Sequence, residues 1–454
     1  MKKLFGTDGI RGKANTYPIT PETALLTGKA TAAVLGGSQY EKHRRVIVGK
    51  DTRLSGYMLE SAITSGILSM GVDVLAVGPM PTPAVAHLTE SMGAVCGIMV
   101  TASHNPASDN GIKIFGADGF KLPDAIEAEI ERRIKTQDFG KPAASERIGK
   151  AFRIDDARGR YIEFAKSSIK NRSLAGLKIV IDCANGACYS IAPLVLRELG
   201  ADVVEIGVQP NGSNINLKCG ALYPEAMCRM VRECGADAGF ALDGDADRVI
   251  FCDEKGSIIN GDQIIGMLAV DYKKRGRLAG NSIVVTSMSN LGLHHAMHDA
   301  GIAVHITDVG DRNVIDCMRT NNFNIGGEQS GHIIFMDYAT TGDGLISALH
   351  VLKYMKNSGK KLSTLANFIP IFPQQMLSLP VKEKIPLSQL KLLPSIVAEC
   401  EKNLASSGRT VVRYSGTENK IRLLVEAQNQ HDVEFWCGKL ADAVRQELSV
   451  AEEE

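Results

Sequence analysis

The sequence predicts an α/β protein of three related mixed α/β modules followed by a smaller C-terminal α+β module, with the active-site cleft at their junction. Three observations carry that expectation. The chain is 454 residues long, about three times the commonest domain size. A strand–helix–glycine–strand order occurs three times, and it is lost after about residue 373. Composition sets the class: 44% hydrophobic and 22% charged residues are the balance of a folded globular protein. Lys plus Arg and Asp plus Glu both number 51, so no global field draws the chain to nucleic acid or an anionic membrane. Any anion site must be local.

In chain order, Val46-Ile47-Val48 reads as a buried strand, residues 57–70 as an apolar-periodic helix, Gly71 as its C-cap, and Val72 to Val77 as a second strand. The same order returns with Ile179-Val180-Ile181, residues 190–199, Gly200 and Val203 to Ile206. It returns again with Ile283-Val284-Val285, residues 291–300, Gly301 and Ile302 to Ile306. Each unit is a strand–helix–strand crossover. Beyond residue 373, Val411 to Tyr414 and Ile421 to Val425 read as strands and residues 431–448 as a helix, an α+β pattern with an antiparallel sheet. Polar stretches at 135–150 and 253–262 and the Pro370–Pro373 break divide the chain at 1–150, 151–256, 257–371 and 372–454.

No run approaches the ~20 apolar residues that a membrane span needs, and Met1-Lys2-Lys3 leads into Phe5-Gly6-Thr7-Asp8 rather than a secretory apolar stretch. A cytoplasmic protein is expected, with its ten cysteines reduced and mostly buried; the closest pair, Cys183 and Cys188, has neither zinc nor redox spacing.

Four loops carry chemistry. Thr101-Ala102-Ser103-His104-Asn105-Pro106 follows the apolar run Gly97 to Val100, which puts Ser103, a candidate nucleophile, and His104 exposed at the carboxyl edge of a sheet. His104 and Lys113 could serve as acid, base or phosphate ligand. Asp243-Gly244-Asp245-Ala246-Asp247-Arg248 lies between two apolar strands. Three carboxylates within five residues repel one another unless a cation neutralises them, and hard oxygen donors suit Mg²⁺ or Ca²⁺. Glu254 would complete a calcium-loop template, but Arg248 stands where that loop requires Gly and both flanks read as strands.

In Gly326-Gly327-Glu328-Gln329-Ser330-Gly331-His332, Glu328 and Ser330 are two apart, so in an extended segment they point the same way and could grip adjacent sugar hydroxyls. Arg413-Tyr414-Ser415-Gly416-Thr417-Glu418-Asn419, with Arg422 beyond, combines two guanidinium groups, two hydroxyls and a flexible backbone into a candidate phosphate cradle. A nucleophile, an acid cluster, a hydroxyl grip and a phosphate clamp, one per module, are the parts phosphoryl transfer needs. His294, His295 and His298 lack a third ligand in register and read as a solvated helix rather than a metal site.

Phe5-Gly6-Thr7-Asp8-Gly9-Ile10-Arg11-Gly12, the Ser103 loop continuing through Asp109 to Lys113, the Asp243 loop, the Glu328 loop and Arg413-x-Ser-Gly-Thr together resemble the α-D-phosphohexomutases in order and spacing along the whole chain. The pattern departs from the family at Asn419, where Pro is usual. The resemblance implies that Ser103 becomes a phosphoserine and that, with Asp243, Asp245 and Asp247, it binds one Mg²⁺ per subunit. It implies that Glu328 and Ser330 read the sugar, and that Arg413, Ser415, Gly416, Thr417 and Arg422 hold the phosphate that is not reacting. Arg11, His104, Lys113, Arg248 and His332 fall on positions lining the family's active site. The implied reaction interconverts glucosamine 6-phosphate and glucosamine 1-phosphate on the route to UDP-N-acetylglucosamine, with a hexosamine 1,6-bisphosphate as intermediate or activator, in a homodimer. Turning that intermediate around favours a hinged fourth module. A neutral hexose phosphate is the alternative substrate within the family. Outside it stand a phosphatase using Asp243 as nucleophile and a sugar-phosphate-binding protein without turnover.

Overall fold

The computed structural model describes residues 3–6, 8–36, 44–415 and 419–448. It divides into two compact units, Met1–Thr286 with His305–Asn367, and Ser287–Val304 with Phe368–Glu454.

The first unit begins with β1 (Ile10–Lys13), α1 (Pro21–Leu35), β2 (Arg45–Lys50), α2 (Ser55–Ser69), β3 (Asp73–Pro79), α3 (Thr82–Ser91), β4 (Cys96–Val100), β5 (Asp109–Gly116), α4 (Asp124–Thr136) and β6 (Ala151–Arg153). The sheet order is β1-β5-β4-β2-β3-β6. Strands β4, β2, β3 and β6 run parallel, and β5 and β1 are added antiparallel. Val46, Ile47, Val48 and Ile98 are fully buried, which is why these segments read as continuous apolar runs. Helix α1 starts on a Thr20 cap with Pro21 in its first turn. It crosses α2 at two glycines: a Cβ on Gly28 would lie 2.4 Å from the Ile63 carbonyl oxygen, and one on Gly66 2.2 Å from that of Leu25.

Next come α5 (Ala157–Ser168), β7 (Lys178–Asp182), α6 (Ala192–Glu198), β8 (Asp202–Ile206), α7 (Glu225–Cys234), β9 (Ala238–Leu242), β10 (Val249–Asp253) and β11 (Ile258–Ile259), with sheet order β11-β10-β9-β7-β8. Then α8 (Gly261–Lys274), β12 (Ser282–Thr286), α9 (Leu291–Asp299), β13 (Ala303–Thr307), α10 (Asp311–Asn321), β14 (Ile325–Gly327), β15 (Ile333–Phe335), α11 (Gly344–Ser358) and α12 (Leu362–Ala366) contribute the sheet β13-β12-β14-β15. The three expected crossovers are present, and Gly71, Gly200 and Gly301 follow their helices at φ of +76°, +87° and +64°. In all three sheets a parallel strand is followed directly by an antiparallel neighbour: β5 after β4, β10 after β9, β15 after β14. Each of those connections is one of the loops singled out by its chemistry.

The second unit holds α9 and the last module, β16 (Gln374–Pro380), α13 (Leu392–Leu404), β17 (Gly408–Tyr414), β18 (Lys420–Ala427) and α14 (Gln430–Glu447). Its sheet, β16-β18-β17, is antiparallel throughout and packs Leu423 and Val425 with Trp436 and Leu440 of α14. β16 alternates exposed and half-buried residues along the sheet edge, and its weak apolar pattern left it unread in the sequence. Among the described residues no helix is long and apolar enough to cross a membrane.

Candidate active site

Ser103 is buried, 1% exposed, and not displayed at the sheet edge as its loop position suggested. The acid loop covers it. Ser103 Oγ donates to Asp243 Oδ2 at 2.6 Å, and Gly244 allows this approach because a Cβ there would stand 2.6 Å from the Ser103 carbonyl oxygen. Ser103 takes a left-handed φ of 51°, held by its N–H bond to Thr101 Oγ1 at 2.9 Å; the Thr101 hydroxyl in turn donates to Asp51 at 2.7 Å. A non-glycine residue in that region stores on the order of 1 kcal/mol, so the surroundings dictate the conformation. His104 is half-buried with Nδ1 3.5 Å from Ser103 Oγ. Burial, then the charges of Arg248 and Arg11, push its imidazole down to about 4, so it is neutral at pH 7.

Asp243, Asp245 and Asp247 are all buried, with one ligand oxygen from each lying within 4.8 Å of the others. The loop is a turn closed by the Ala246 N–H on the Asp243 carbonyl at 3.0 Å, with Ala246 at φ 58°. Lys113 Nζ reaches Asp245 Oδ2 at 2.9 Å and Asp247 Oδ2 at 3.0 Å, and the Thr82 hydroxyl donates to Asp245 Oδ2 at 2.5 Å. The opposite oxygens, Asp245 Oδ1 and Asp247 Oδ1, are buried and accept no hydrogen bond. Burial, then the charges of Asp247 and Asp245, raise the Asp243 carboxyl well above its usual range. Buried hard oxygens that accept no hydrogen bond, beside an Asp243 carboxyl that burial and its acidic neighbours disfavour as an anion, fit a divalent cation. Glu254 belongs to no such cluster; it accepts from the Ser363 hydroxyl and N–H.

Around this cluster the charges close into a ring. Lys113 pairs with Asp8 at 3.2 Å, and Asp8 and Asp311 share Lys121, each at 2.5 Å. His332 lies 3.6 Å from Asp311 through Nε2 and 3.6 Å from Asp247 through Nδ1, and Asp247 returns to Lys113. The Gly342 N–H donates to His332 Nε2 at 3.0 Å, so the ring proton sits on Nδ1, facing Asp247. Burial opposes the charge on Asp8, but Lys113, Lys121 and Arg11 overcome it and hold its carboxyl well below the usual range. Burial likewise opposes the Lys113 ammonium, which Asp245, Asp247 and Asp8 keep charged. Arg11 pairs with Asp8 and stands 3.5 Å from the Ala102 carbonyl; Arg248 lies 3.9 Å from Asp247.

Glu328 and Ser330 sit in a tight turn, not the extended segment expected, because the Gly331 N–H bonds back to the Glu328 carbonyl at 3.0 Å. They still converge: Ser330 Oγ donates to Glu328 Oε2 at 3.2 Å. In the second unit, Arg413 of β17 and Arg422 of β18 are direct cross-strand partners. Burial, then the Arg422 charge, lowers the Arg413 guanidinium from its usual value. Ser415 is buried, its N–H on the Lys420 carbonyl at 2.8 Å; Gly416 and Thr417 lie outside the described residues. Two like charges held side by side on neighbouring strands suit a doubly charged anion. His294 and His295 of α9 are half-buried, not solvated, and only His298 is exposed.

The sequence matches four family models in order: phosphoglucomutase/phosphomannomutase alpha/beta/alpha domain I over residues 2–141, domain II over 159–256, domain III over 260–372, and the C-terminal domain over 376–443. The chain belongs to the α-D-phosphohexomutase family. A curated relative, phosphoglucosamine mutase of Syntrophotalea carbinolica, is 51% identical over 100% of this chain and 99% of its own length. Among solved structures, a phosphoglucomutase/phosphomannomutase family protein from Burkholderia thailandensis matches with a TM-score of 0.82 at 24% identity, covering 98% of each chain. N-acetylphosphoglucosamine mutase of Aspergillus fumigatus, in complex with GlcNAc-6P and magnesium, matches with a TM-score of 0.66 at 18% identity over 98% of this chain and 95% of its own. At those identities the structures share the fold. As a phosphohexomutase the chain is an isomerase, an intramolecular phosphotransferase that binds a sugar phosphate.

Several side chains of this phosphohexomutase centre were not read from the sequence: Arg53, Thr82, Lys121, Asn216 and Asp311. Arg53 and Thr82 each stand within three residues of the carboxyl end of a parallel strand, β2 and β3, where α/β folds concentrate ligand contacts, so their positions held a usable signal. Lys121, Asn216 and Asp311 held none, because their partners lie 113, 113 and 190 residues away.

Proposed function

We propose that this phosphohexomutase interconverts glucosamine 6-phosphate and glucosamine 1-phosphate through a phosphorylated Ser103 and a hexosamine 1,6-bisphosphate. The relay is carried by one observation, the buried Ser103 hydroxyl set 2.6 Å from Asp243 in an acid cluster. The substrate assignment follows the relative that is half identical along the whole chain. Phosphoserine 103 donates its phosphoryl group to the free hydroxyl of the bound sugar phosphate, the bisphosphate turns around without leaving, and its other phosphate returns to Ser103.

Asp243, Asp245, Asp247 and the Ser103 phosphate would hold one Mg²⁺, which supplies charge neutralisation to the moving phosphoryl group. Lys113, bonded to Asp245 and Asp247, with Arg248 beside Asp247 and Arg11 on Asp8, adds fixed positive charge around the cluster. While Ser103 is unphosphorylated, Asp243 Oδ2 at 2.6 Å and His104 Nδ1 at 3.5 Å are the two atoms that can take or return its proton, and His332 lines the site beside Asp247. Glu328 and Ser330 bind the sugar hydroxyls or amine; Arg413, Ser415, Gly416, Thr417 and Arg422 hold the distal phosphate. In this reading each module, bounded at 1–150, 151–256, 257–371 and 372–454, contributes one loop, and the enzyme is a cytoplasmic homodimer.

Ser103→Ala is expected to abolish mutase turnover while leaving the thermal midpoint in place. Near-normal turnover would overturn the relay, and release of inorganic phosphate by that variant would point to Asp243 as nucleophile of a phosphatase. Parallel coupled assays on glucosamine, glucose and mannose 6-phosphates test the substrate.

A further inference from the structure

The loop that carries Ser103 is gripped from behind by two buried donors. Arg53 is fully buried and all five of its N–H groups are used. Nε bonds Asp51 at 2.8 Å; Nη2 bonds the Ser103 carbonyl at 3.0 Å and that of Asn105 at 2.8 Å; Nη1 bonds the Asp109 carbonyl at 3.0 Å and that of Pro106. Asn216, 7% exposed, places both hydrogens of its carboxamide on two of the same oxygens, Ser103 at 2.9 Å and Asn105 at 3.0 Å. Its own backbone is anchored to the second sheet's module: the Asn216 N–H bonds the Ala184 carbonyl at 2.9 Å, just past the end of β7.

We propose that Arg53 and Asn216 are the positioning residues of the phosphoryl-carrying serine, with Arg53 holding the loop's shape and Asn216 locking it to the module that bears the acid cluster. The physical reason is the left-handed φ of Ser103, which local sterics do not favour. Two carbonyls that each accept two buried hydrogen bonds hold that conformation, and a guanidinium fork suits a bay of carbonyls in a way an ammonium does not. Arg53 comes from the same module as Ser103, so it shapes the loop whatever the second module does. Asn216 comes from the module of Asp243, so it fixes the Ser103 Oγ to Asp243 separation on which the transfer distance depends. Both act through the loop backbone, Arg53 on the carbonyls of residues 103, 105, 106 and 109 and Asn216 on those of 103 and 105.

This inference rests on Ser103 being the phosphoryl carrier. The test uses the full-length enzyme with Asn216→Ala, Arg53→Lys and Ser103→Ala side by side. Misplacing a reacting group by about an ångström costs on the order of 100-fold, so Asn216→Ala is expected to lose about 10- to 100-fold in kcat with KM for the sugar phosphate within twofold of wild type. The rate at which a hexose 1,6-bisphosphate phosphorylates Ser103, followed by intact mass, should fall by the same factor. A merely structural role would lower the amount of folded enzyme and leave both rates per folded molecule alone. Arg53→Lys is expected to show the same split more severely, and if it does not fold, Asn216→Ala decides alone. Wild-type kcat in Asn216→Ala, or a raised KM with unchanged kcat, overturns the inference while inactive Ser103→Ala leaves the relay intact. An active Ser103→Ala enzyme would instead remove the relay itself.

Discussion

Lys121→Met tests whether the ring of alternating charges holds the first unit together. Lys121 Nζ lies 2.5 Å from both Asp8 and Asp311, with side chains 8%, 24% and 14% exposed. At an effective dielectric of 20 and this separation, each such contact has a gross worth on the order of 7 kcal/mol, much of it offset by desolvation of the cation. Removing the cation while the carboxylates stay buried costs about 3–5 kcal/mol net. Asp8 keeps Arg11 and Lys113, whereas Asp311 keeps the His332 imidazole at 3.6 Å, so the larger loss falls on Asp311. In the native enzyme burial raises the Asp311 carboxyl but Lys121 and then His332 bring it below its usual value, so its contribution is present above the ordinary carboxylate pKa and lost as pH falls. In the variant burial acts without the Lys121 charge that chiefly opposed it, the folded-state pKa rises, and the sign reverses: the penalty is full near pH 8 and fades toward pH 5 as the folded protein keeps a proton on Asp311. Urea midpoints of both proteins measured from pH 5 to pH 8 should therefore converge as pH falls. A gap under about 1 kcal/mol at pH 8, or a gap constant with pH, would refute the reasoning.

Asp343, buried and pushed up to about 6 by desolvation, caps α11 through the Ile346 N–H at 2.8 Å and accepts from Tyr161 at 2.8 Å. Its raised folded-state pKa makes the native state less stable as pH rises from about 4 through 6, by roughly 2–3 kcal/mol, and Asp343→Asn should flatten that limb of the stability profile because the amide still caps the helix; an unchanged slope counts against the assignment. Gly66→Ala brings a methyl group 2.2 Å from the Leu25 carbonyl oxygen and 3.0 Å from the Lys29 nitrogen. Overpacking of about 1–3 kcal/mol should exceed the ~1 kcal/mol that Ala gains in a helix, lowering the melting midpoint with turnover per folded molecule unchanged; equal or higher stability would show that the helices can separate freely. Magnesium at 100 times its dissociation constant should stabilise the native enzyme by about 2.7 kcal/mol, and Asp245→Asn should lose most of that gain. Equal thermal shifts in the two proteins would place the cation elsewhere.

The crossover modules were legible because buried parallel strands leave continuous apolar runs such as Val46 to Val48, and because a helix that ends at positive φ calls for glycine at 71, 200 and 301. The acid loop was legible too, since three carboxylates between apolar strands have few other uses. Ser103 was read at the right turn and with the wrong exposure: nothing within its own loop shows that a hairpin 140 residues later closes over it. Glu328 and Ser330 meet although the backbone between them turns: the extended segment that suggested their pairing is absent, and the turn closed by Gly331 brings Ser330 Oγ to the Glu328 carboxylate instead.

Local sequence determined which residues could bear charge, bend the chain or cap a helix, since propensity and side-chain chemistry act over a few residues. Only the tertiary structure decided which of those residues meet. It joined Lys121 to Asp311 and Asn216 to the Ser103 carbonyl, and it set three loops of different composition at the same topological step, between a parallel strand and the antiparallel neighbour that follows it. The physical reason is that a buried charge or hydrogen-bond donor needs a partner in space, and no pattern along the chain records where that partner will be.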